Sequence, residues 1–468
     1  MEQHGGGGPI FIRGNRGMLP RARVREFCFH PALLATHTHT CECVSGPARE
    51  RWSVMDVVHP RCAGIDISKK DAKVCVRIQG RGSRRTSATV TTWGAMTNQI
   101  LSLREHLVEQ QVTCVVMEAT GNYWKPYFYL LEDTLEVMLV NTHDARNMPG
   151  RKSDVSDAAW LADLGAHGLL RGSLVPPPPI RRLRDLTRAR TALTRDRARQ
   201  VQRIEKVLEE TGIKLSSVAT DIMGVSGRAM LDALIDGRDD PAVIAELAKG
   251  RMRSKIPELA EALTGRFTPH HAFLISMHLT LIDQYGQALG ELDTRIAEAM
   301  EPFRAARDLL TSIPGFSTTI AEVVLAETGG DMGVFPTAGH LASWAGTAPG
   351  SHESAGRVKS TKTRPGNRYL EGALGTAAMS VSRSKDTYFS AKYKRIASRR
   401  GPMKALVAVQ HAMLVAAWNM LTNGDLYRDP GADYFTRRLP AKTRARAIDQ
   451  LEALGYRVTL TPLAADTA

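Results

Sequence analysis

The sequence predicts an α/β domain followed by a mainly α-helical region, and three observations support this prediction. Short apolar runs separated by turn residues fill the segment from 57 to about 175. Four consecutive prolines, 176–179, then form a stiff spacer. Long helical patterns replace the strand patterns after this spacer, so we expect the architecture to change there.

The order of the apolar runs in the first region predicts a topology. Three strands come first, and helices then alternate with strands. This is the order of a ribonuclease-H-like domain. The predicted strands are 62–68, 72–79, 87–93, 112–118 and 136–141, and the predicted helices are 95–110, 123–133 and 154–165.

Four carboxylates mark the candidate site of this domain. Asp66 lies inside the first apolar strand and Glu118 ends the fourth, so neighbouring strands would bring them together. Asp154 and Asp157 are three residues apart at the start of a helical pattern and would share one helix face. Such a cluster needs a cation, because like charges repel and a buried unpaired carboxylate costs several kcal/mol. Hard oxygen ligands suit Mg²⁺ or Mn²⁺, which catalyse phosphoryl transfer in nucleases and polymerases.

Charge and composition indicate the partner and the compartment. The 468 residues include 62 Lys and Arg against 48 Asp and Glu, a net charge of +14 that favours a polyanionic partner. All six cysteines fall in the first quarter, and three lie in apolar strand-like runs typical of buried thiols. We expect a cytoplasmic, nucleoid-associated protein without a disulfide framework. The longest apolar stretch, 405–421, contains polar residues, which favours a buried helix over a membrane span.

Two long helices are predicted after the proline spacer. The first, about 180–209, has ten basic against three acidic residues between Arg181 and Lys206. The second, about 272–300, has apolar residues at steps of three and four, which fits an antiparallel or intermolecular coiled coil.

A strongly basic segment follows a turn that resembles a helix-hairpin-helix. Ile313-Pro314-Gly315 separates two helical patterns, and such a turn can hold a backbone phosphate. From Arg357 to Lys404 the sequence has thirteen basic and two acidic residues. This charge would neutralise several phosphates of a nucleic acid. The candidate phosphate contacts are Arg357, Lys359, Lys362, Arg364 and Arg368.

A serine at the start of this segment is a candidate nucleophile. Ser354 lies in a predicted polar loop, 350–359, with glycines on both sides and cations after it. A positive field favours the ionised hydroxyl that would attack a phosphodiester. By itself the pattern favours an ordinary loop serine.

The motifs together resemble the DEDD transposases of insertion sequences, the family of bridge-RNA-guided serine recombinases. The resemblance covers roughly residues 60–425. The matching motifs are Gly64 to Lys69, Met117 to Gly121, Asn141 to Ala158, Ile313 to Gly315, Ser354 to Gly356 and Gly366 to Leu370.

The resemblance implies an architecture and a site. It implies a RuvC-like N-terminal domain, a helical coiled-coil connection and a mainly α C-terminal transposase domain. Asp66, Glu118, Asp154 and Asp157 match the family's metal-binding tetrad, which takes Mg²⁺ or Mn²⁺. Ser354 matches the nucleophile that forms a covalent phosphoserine link to DNA.

The motif around the serine departs from the family pattern. The family has His-Ser-Ser-Gly, whereas this chain has one further residue before the glycine, from His352 to Gly356. Ser351 is therefore the alternative nucleophile. The resemblance also implies double-stranded DNA and a guide RNA as partners. It further implies a dimer or tetramer in which different protomers supply the acidic and serine halves of a site.

The predicted domains follow from these patterns. We expect an N-terminal extension that is disordered or wrongly assigned to the protein, a RuvC-like domain, a helical linker, a transposase domain and a tail. Their predicted ranges are 1–54, 55–175, 176–304, 305–425 and 426–468.

Two other functions remain open from the residues alone. A hydrolytic nuclease, such as a Holliday-junction resolvase, would use the same acidic tetrad with water as the nucleophile. A non-catalytic nucleic-acid-binding regulator would need only the basic segment.

Overall fold

The computed structural model describes residues 56–80, 85–142, 145, 148 and 156–461. The chain forms two compact units, Met1–Arg171 and Gly172–Ala468. The predicted extension 1–54 and the candidate ligand Asp154 lie outside the described residues. The five predicted domain ranges remain predictions.

The first unit has a five-stranded mixed sheet with the order β3-β2-β1-β4-β5. The first three strands are antiparallel neighbours, whereas β4 pairs in parallel with β1 and β5. This mixed sheet and its helices are consistent with the predicted ribonuclease-H-like domain. The strands are β1 Arg61–Ile67, β2 Asp71–Ile78, β3 Ser87–Gly94, β4 Cys114–Glu118 and β5 Glu136–Val140.

Three helices of eight or more residues accompany this sheet among the described residues, namely α1 Thr97–Glu109, α2 Trp124–Leu131 and α3 Asp157–Ala166. The predicted helix 154–165 therefore begins later in the structure. Ser156 has extended backbone angles, and its side chain accepts a hydrogen bond from the Ala159 backbone N–H, so it is the N-cap. The predicted helix face shared by Asp154 and Asp157 falls outside the described residues.

Helix α3 packs directly on the centre of the sheet. A Cβ at Gly64 would lie 2.1 Å from the Ala158 carbonyl oxygen and 2.4 Å from the Ala162 backbone nitrogen. Only glycine allows this approach of helix to strand. Three free thiols, Cys62, Cys75 and Cys114, are buried in the described part of the sheet, as predicted for apolar strands.

Two long antiparallel helices dominate the start of the second unit, α4 Pro178–Thr211 and α9 Pro269–Met300. Arg190 reaches Asp293 at 3.1 Å, and Gln200 contacts His278 at 3.0 Å, so α9 runs back along α4. The two long helices thus pack against each other within one chain, in the antiparallel arrangement that was one of the two predicted. Four shorter helices and a 3₁₀ turn lie between them in the sequence and pack with them around one hydrophobic cluster. They are α5 Leu215–Val218, α6 Val225–Ile235, α7 Pro241–Ala245, the 3₁₀ turn Gly250–Lys255 and α8 Ile256–Ala262.

The remaining helices enclose a second hydrophobic cluster. The predicted Ile-Pro-Gly turn joins two of them, and a Cβ at Gly315 would lie 2.7 Å from the Ala377 carbonyl oxygen. These helices are α10 Arg304–Thr311, α11 Thr318–Thr328, α12 Ala338–Trp344, α13 Arg368–Ser382, α14 Tyr388–Arg400 and α15 Pro402–Asn423, with 3₁₀ turns at Glu301–Phe303 and Met332–Val334.

The predicted polar loop 350–359 is a β-hairpin in the structure. Its strands are β6 His352–Ser354 and β7 Arg357–Ser360. Ala355 and Gly356 have φ values of 51° and 73°, which are typical of the tight turns that join short antiparallel strands. The prediction of a loop was wrong because both strands are polar and exposed, so the apolar alternation of a strand is missing.

Helix α15 is long and apolar enough to cross a membrane by length and composition alone. Most of its buried residues, including Val409, Met413 and Ala417, belong to the hydrophobic cluster that α10 to α15 enclose. The structure therefore agrees with the predicted core helix.

An aromatic cluster joins the C-terminal tail to helix α14. The rings of Tyr427 and Phe389 stack with centroids 5.4 Å apart, and Phe435 stacks on Tyr388 at 5.5 Å. Asp429 accepts a hydrogen bond from the Tyr388 backbone N–H at 2.9 Å. The tail continues as α16 Tyr434–Arg438 and α17 Pro440–Ala453.

Candidate active site

Asp66 and Glu118 occupy equivalent positions on two adjacent parallel strands. The register pairs Ile65 of β1 with Met117 of β4, so the next residues are Asp66 and Glu118. In-register residues of parallel strands project to the same face of a sheet. The structure therefore brings these two predicted carboxylates together, which confirms that β1 and β4 are neighbours.

The two carboxylates differ in burial. Glu118 has 7% of its surface exposed, whereas Asp66 is half-buried. Lys73 stands opposite Asp66 in the antiparallel register with β2 and is exposed. A cation at this position reduces the repulsion between carboxylates.

Helix α3 brings Asp157 to the same end of the sheet. A Cβ at Gly165, near the end of α3, would lie 2.9 Å from Cys62 Sγ at the start of β1, whereas Ala158 contacts Gly64. The helix therefore runs antiparallel to β1, and its N-terminus points toward the end of the strand that carries Asp66. Asp157, the first helical residue, is half-buried. The partial positive charge at this helix terminus stabilises nearby carboxylates.

An ion pair fixes the other end of α3. Arg77 of β2 contacts Asp163 at 3.0 Å, and the Arg77 side chain is only 10% exposed. Together with the glycine contact, this pair determines where the first turn of α3 lies. The positions of Asp66, Glu118 and Asp157 thus follow from strand register and helix packing.

A complete metal site cannot be assembled from the described residues. Within the ranges that the structure describes, no three His, Cys, Asp or Glu side chains form a group that could hold one ion. Asp154, the fourth predicted ligand, lies outside those ranges. The tetrad therefore stays a prediction, with the strand pair and the α3 terminus as its described part.

Ser354, the candidate nucleophile, lies at the end of strand β6 beside the hairpin turn. It pairs with Arg357 across the hairpin, and both residues are exposed. Ser351 lies just before β6 and is also exposed. The hairpin thus places a guanidinium opposite Ser354 and none directly opposite Ser351. This difference favours Ser354 as the nucleophile, and both roles stay predictions.

The five candidate phosphate-binding residues are all exposed. Arg357 and Lys359 lie on β7, Lys362 and Arg364 on the segment after it, and Arg368 is the first residue of α13. Their exposure is compatible with contacts to nucleic acid, and their role stays a prediction.

A buried ionic network that the sequence reasoning missed supports the segment between β7 and α13. Glu327 of α11 has no exposed surface and accepts two hydrogen bonds from Arg188 of α4, each 2.7 Å long. Asn367 donates to the same carboxylate at 2.6 Å. Burial lowers the pKa of Arg188, but its hydrogen bond to Glu327 and the charge of that residue raise it more, so the net shift is upward.

This network positions the Gly366-to-Leu370 motif. The Asn367 side-chain oxygen accepts hydrogen bonds from the backbone N–H groups of Tyr369 and Leu370, so it caps α13. The guanidinium of Arg188 lies 4.7 Å from the Tyr369 ring centroid, and that of Arg368 lies 5.0 Å from it. The sequence held a signal for this network, because Glu327 is an acid near the end of an apolar helix.

Comparisons with known proteins agree with this architecture. A transposase family model of the IS110 DEDD type matches residues 63–213, and a model described as the transposase IS116/IS110/IS902 family matches residues 307–394. The first match includes Asp66, Glu118, Asp154 and Asp157, and the second includes Ser354.

Two curated relatives match over most of their length. An uncharacterised 42 kDa protein of insertion element IS900 from Mycobacterium paratuberculosis is 27% identical over 79% of this chain and 98% of its own. The transposase for insertion sequence element IS1111A from Coxiella burnetii is 23% identical over 81% of this chain and 94% of its own. The chain therefore belongs to the IS110-type DEDD transposases of insertion sequences, a family whose members cleave and rejoin DNA.

Proposed function

We propose that this transposase transfers a strand of double-stranded DNA to the hydroxyl of Ser354 in a reaction that depends on Mg²⁺ or Mn²⁺. The acidic half of the site is Asp66, Glu118, Asp154 and Asp157 on a RuvC-like domain. One observation carries the proposal. The parallel register of β1 and β4 aligns two carboxylates at the same end of these neighbouring strands, and the N-terminus of α3, which carries Asp157, points toward that end.

The donor set fits a divalent cation by its chemistry. Carboxylate oxygens are hard ligands that suit a divalent cation, and Glu118, nearly buried, would offer its oxygens on a well-ordered strand. A bound Mg²⁺ would reduce the charge on a scissile phosphate and stabilise the pentacovalent state. Asp157 extends the set toward the helix, whose N-terminus adds positive potential.

The serine step conserves a phosphodiester bond. The Ser354 oxygen forms a bond to phosphorus as the bond to the leaving sugar oxygen breaks. The serine proton goes to solvent, and the leaving oxygen takes up a proton as a free hydroxyl. A later attack by a DNA hydroxyl reverses this exchange on a new strand. Arg357, opposite Ser354, would bind the phosphate oxygens.

The basic segment would hold nucleic acid backbones without reading sequence. Phosphate contacts position a duplex, whereas base contacts determine which sequence is recognised.

We propose that a guide RNA supplies the base pairing, that the protein acts as a dimer or tetramer, and that it is cytoplasmic. The domain ranges given above complete this proposal. The RNA part predicts an RNA that co-purifies with the protein, and loss of target choice after ribonuclease treatment.

A covalent adduct distinguishes transfer to serine from hydrolysis. Full-length protein is incubated with labelled element-end DNA and Mg²⁺, then denatured and separated by electrophoresis. We expect a protein–DNA adduct that Ser354→Ala abolishes and Ser351→Ala retains. Nicked DNA without any adduct would instead favour a hydrolytic nuclease. An adduct lost only in Ser351→Ala would move the nucleophile to that residue.

Mixed variants test whether different protomers complete one site. Asp66→Asn and Ser354→Ala are each expected to be inactive alone. If acidic and serine halves come from different protomers, a mixture that exchanges subunits regains part of the activity. No recovery after proven subunit exchange would contradict this arrangement.

A further inference from the structure

A cavity of about 950 Å³ lies beside the serine hairpin in the second unit. Strand β7 and the residues after it form one wall, α14 and the start of α15 form another, and the Thr347–Pro349 segment closes it. This volume lies within the range of about 300–1,000 Å³ typical of small-molecule sites. The proposed serine chemistry does not use this cavity.

Four lysines surround the cavity: Lys359, Lys362, Lys392 and Lys404. Its lining, taken from the described residues, contains no carboxylate. Burial lowers the pKa of Lys392, which donates a hydrogen bond to the Tyr388 hydroxyl at 3.5 Å. A partly desolvated ammonium without a carboxylate partner is stabilised by a bound anion.

The interior of the cavity is apolar, with one buried polar atom. Val407 and Ala408 of α15 line it and are half-buried, and the exposed side chains of Met403 and Val358 add apolar surface at its opening. The Nδ1 atom of His411 is buried and has no hydrogen-bond partner among the described residues. Hydroxyl groups of Ser360, Thr361 and Thr363 add further donors and acceptors at the rim.

This combination matches one nucleotide better than a free anion. A nucleobase has an apolar face and polar edges, and its two flanking phosphates carry negative charge. The apolar floor of Val407 and Ala408, the imidazole of His411 and the four lysines supply a partner for each part. A stacked duplex buries its base faces, so only an unstacked nucleotide could use the floor.

The cavity also lies at a suitable distance from the candidate nucleophile. Arg357 faces Ser354 across the hairpin, and Lys359 follows two residues later on the same strand. Two strand residues span about 7 Å, which is close to the separation of neighbouring phosphates in an extended strand. A nucleotide in the cavity would therefore be within one or two positions of a phosphate at Ser354.

We propose that this cavity binds a single unstacked nucleotide of a DNA or RNA strand, with its base on the apolar floor and its phosphates on the lysines. The proposal deepens the proposed function and rests on it for the identity of the strand. The shared chemistry is that of a nucleotide, so the source is a question for the experiment.

Fluorescence of 2-aminopurine tests this proposal. The full-length protein is titrated with single-stranded DNA, RNA of the same sequence, and a matched duplex, each with one 2-aminopurine. The described lining contains no Phe, Tyr or Trp that would quench an unstacked base. We expect a fluorescence increase of at least threefold with the single-stranded DNA or RNA, and the stronger response identifies the source.

Two variants locate the signal. Val407→Phe fills the cavity, and we expect at least a tenfold loss of single-strand affinity with duplex affinity within twofold of the parent. Lys404→Met removes a rim charge, with at least a threefold loss expected. Lys442→Met is the matched control on exposed helix α17 and should bind like the parent. Thermal unfolding verifies that each variant is folded. If Val407→Phe does not fold, the affinity of Lys404→Met decides between the outcomes.

The outcomes separate this proposal from the serine chemistry. Ser354→Ala should keep the fluorescence increase even when it loses the covalent adduct. An increase in parent protein that forms no adduct would support the cavity and contradict the serine step. Absence of any increase with both strands, or equal losses in Lys404→Met and Lys442→Met, would overturn the cavity proposal.

Discussion

The strand ends of the first unit and the hairpin of the second place their candidate residues by different means. Asp66 and Glu118 lie on neighbouring interior strands of a sheet, and all residues of β4 are buried. Ser354 lies on a two-stranded hairpin in which all residues from Ser351 to Lys359 are exposed. Backbone pairing determines the geometry of the acids. The geometry of the serine depends on one short turn.

The difference teaches how sequence changes should act in each region. Substitutions beneath the acids should alter stability and activity together, because the sheet that holds them is also the core of its unit. Substitutions in the hairpin should alter activity with little effect on stability, because exposed residues bury almost no surface. Four predictions test this contrast, from the largest expected effect to the smallest.

The largest effect, a loss of activity, is expected at Asp66, because we propose that this acid binds the metal and is not needed for folding. Asp66→Asn should reduce Mg²⁺-dependent strand cleavage by about 10²–10³-fold or more, because a lost ligand costs several kcal/mol of transition-state stabilisation. The denaturation midpoint without metal should not fall, since one of two neighbouring negative charges is removed. Cleavage assays and chemical denaturation measure both. Glu105→Gln on exposed α1 is the control, and a similar loss there would break the contrast.

Beneath the acids, the sheet should not tolerate one added methyl group. Gly64→Ala should destabilise the first unit by about 2–4 kcal/mol, since the new Cβ would overlap backbone atoms of α3. Urea denaturation measures the change.

The matched control for this substitution is Gly290→Ala on α9. A Cβ at Gly290 would have nothing within 4 Å. It should stabilise the helix by about 0.5–1 kcal/mol. If both substitutions have the same sign, α3 does not pack on β1 as described.

The buried network behind the hairpin should behave like the sheet. Glu327→Gln should cost about 2–3 kcal/mol, because Arg188 keeps its charge and loses its carboxylate. This value is below that of a fully buried pair, since the Arg188 side chain is 35% exposed. Denaturation monitored in the second unit measures it.

An exposed pair provides the comparison for that network. Arg295 and Glu298 lie 3.1 Å apart, and their side chains are 72% and 60% exposed. Glu298→Gln should change stability by less than about 0.5 kcal/mol. Equal losses in the two glutamine variants would show that Glu327 has no special structural role.

The smallest effect is expected in the hairpin turn. Ala355 has φ 51°, which is unfavourable for alanine, whereas Asn-Gly is the preferred pair in such a turn. Ala355→Asn should slow hydrogen exchange of the hairpin amides by about twofold, with no change in global stability. Gly356→Ala should have the opposite effect. A global change from either substitution would show that the hairpin is part of the core.

The sequence was most informative where a residue conflicts with its surroundings. Asp66 and Glu118 are acids in apolar strands, and this conflict identified both, whereas the ribonuclease-H-like order of the elements predicted that β1 and β4 are neighbours. Glu327 shows the same conflict in an apolar helix and could have been recognised. The hairpin could not have been recognised from the sequence, because its polar, exposed strands lack the hydrophobic periodicity of a strand. The start of α3 was placed too early because the capping role of Ser156 was not considered.

The aromatic cluster between the tail and α14 has a practical consequence. A chain shortened after Asn423 would keep the hairpin and every residue that lines the cavity. It would nevertheless expose Phe389 and Tyr388, which pack against Tyr427, Tyr434 and Phe435. We expect the shortened protein to aggregate. Fusion tags should therefore be placed after α17, and truncated proteins should keep all residues up to Arg438.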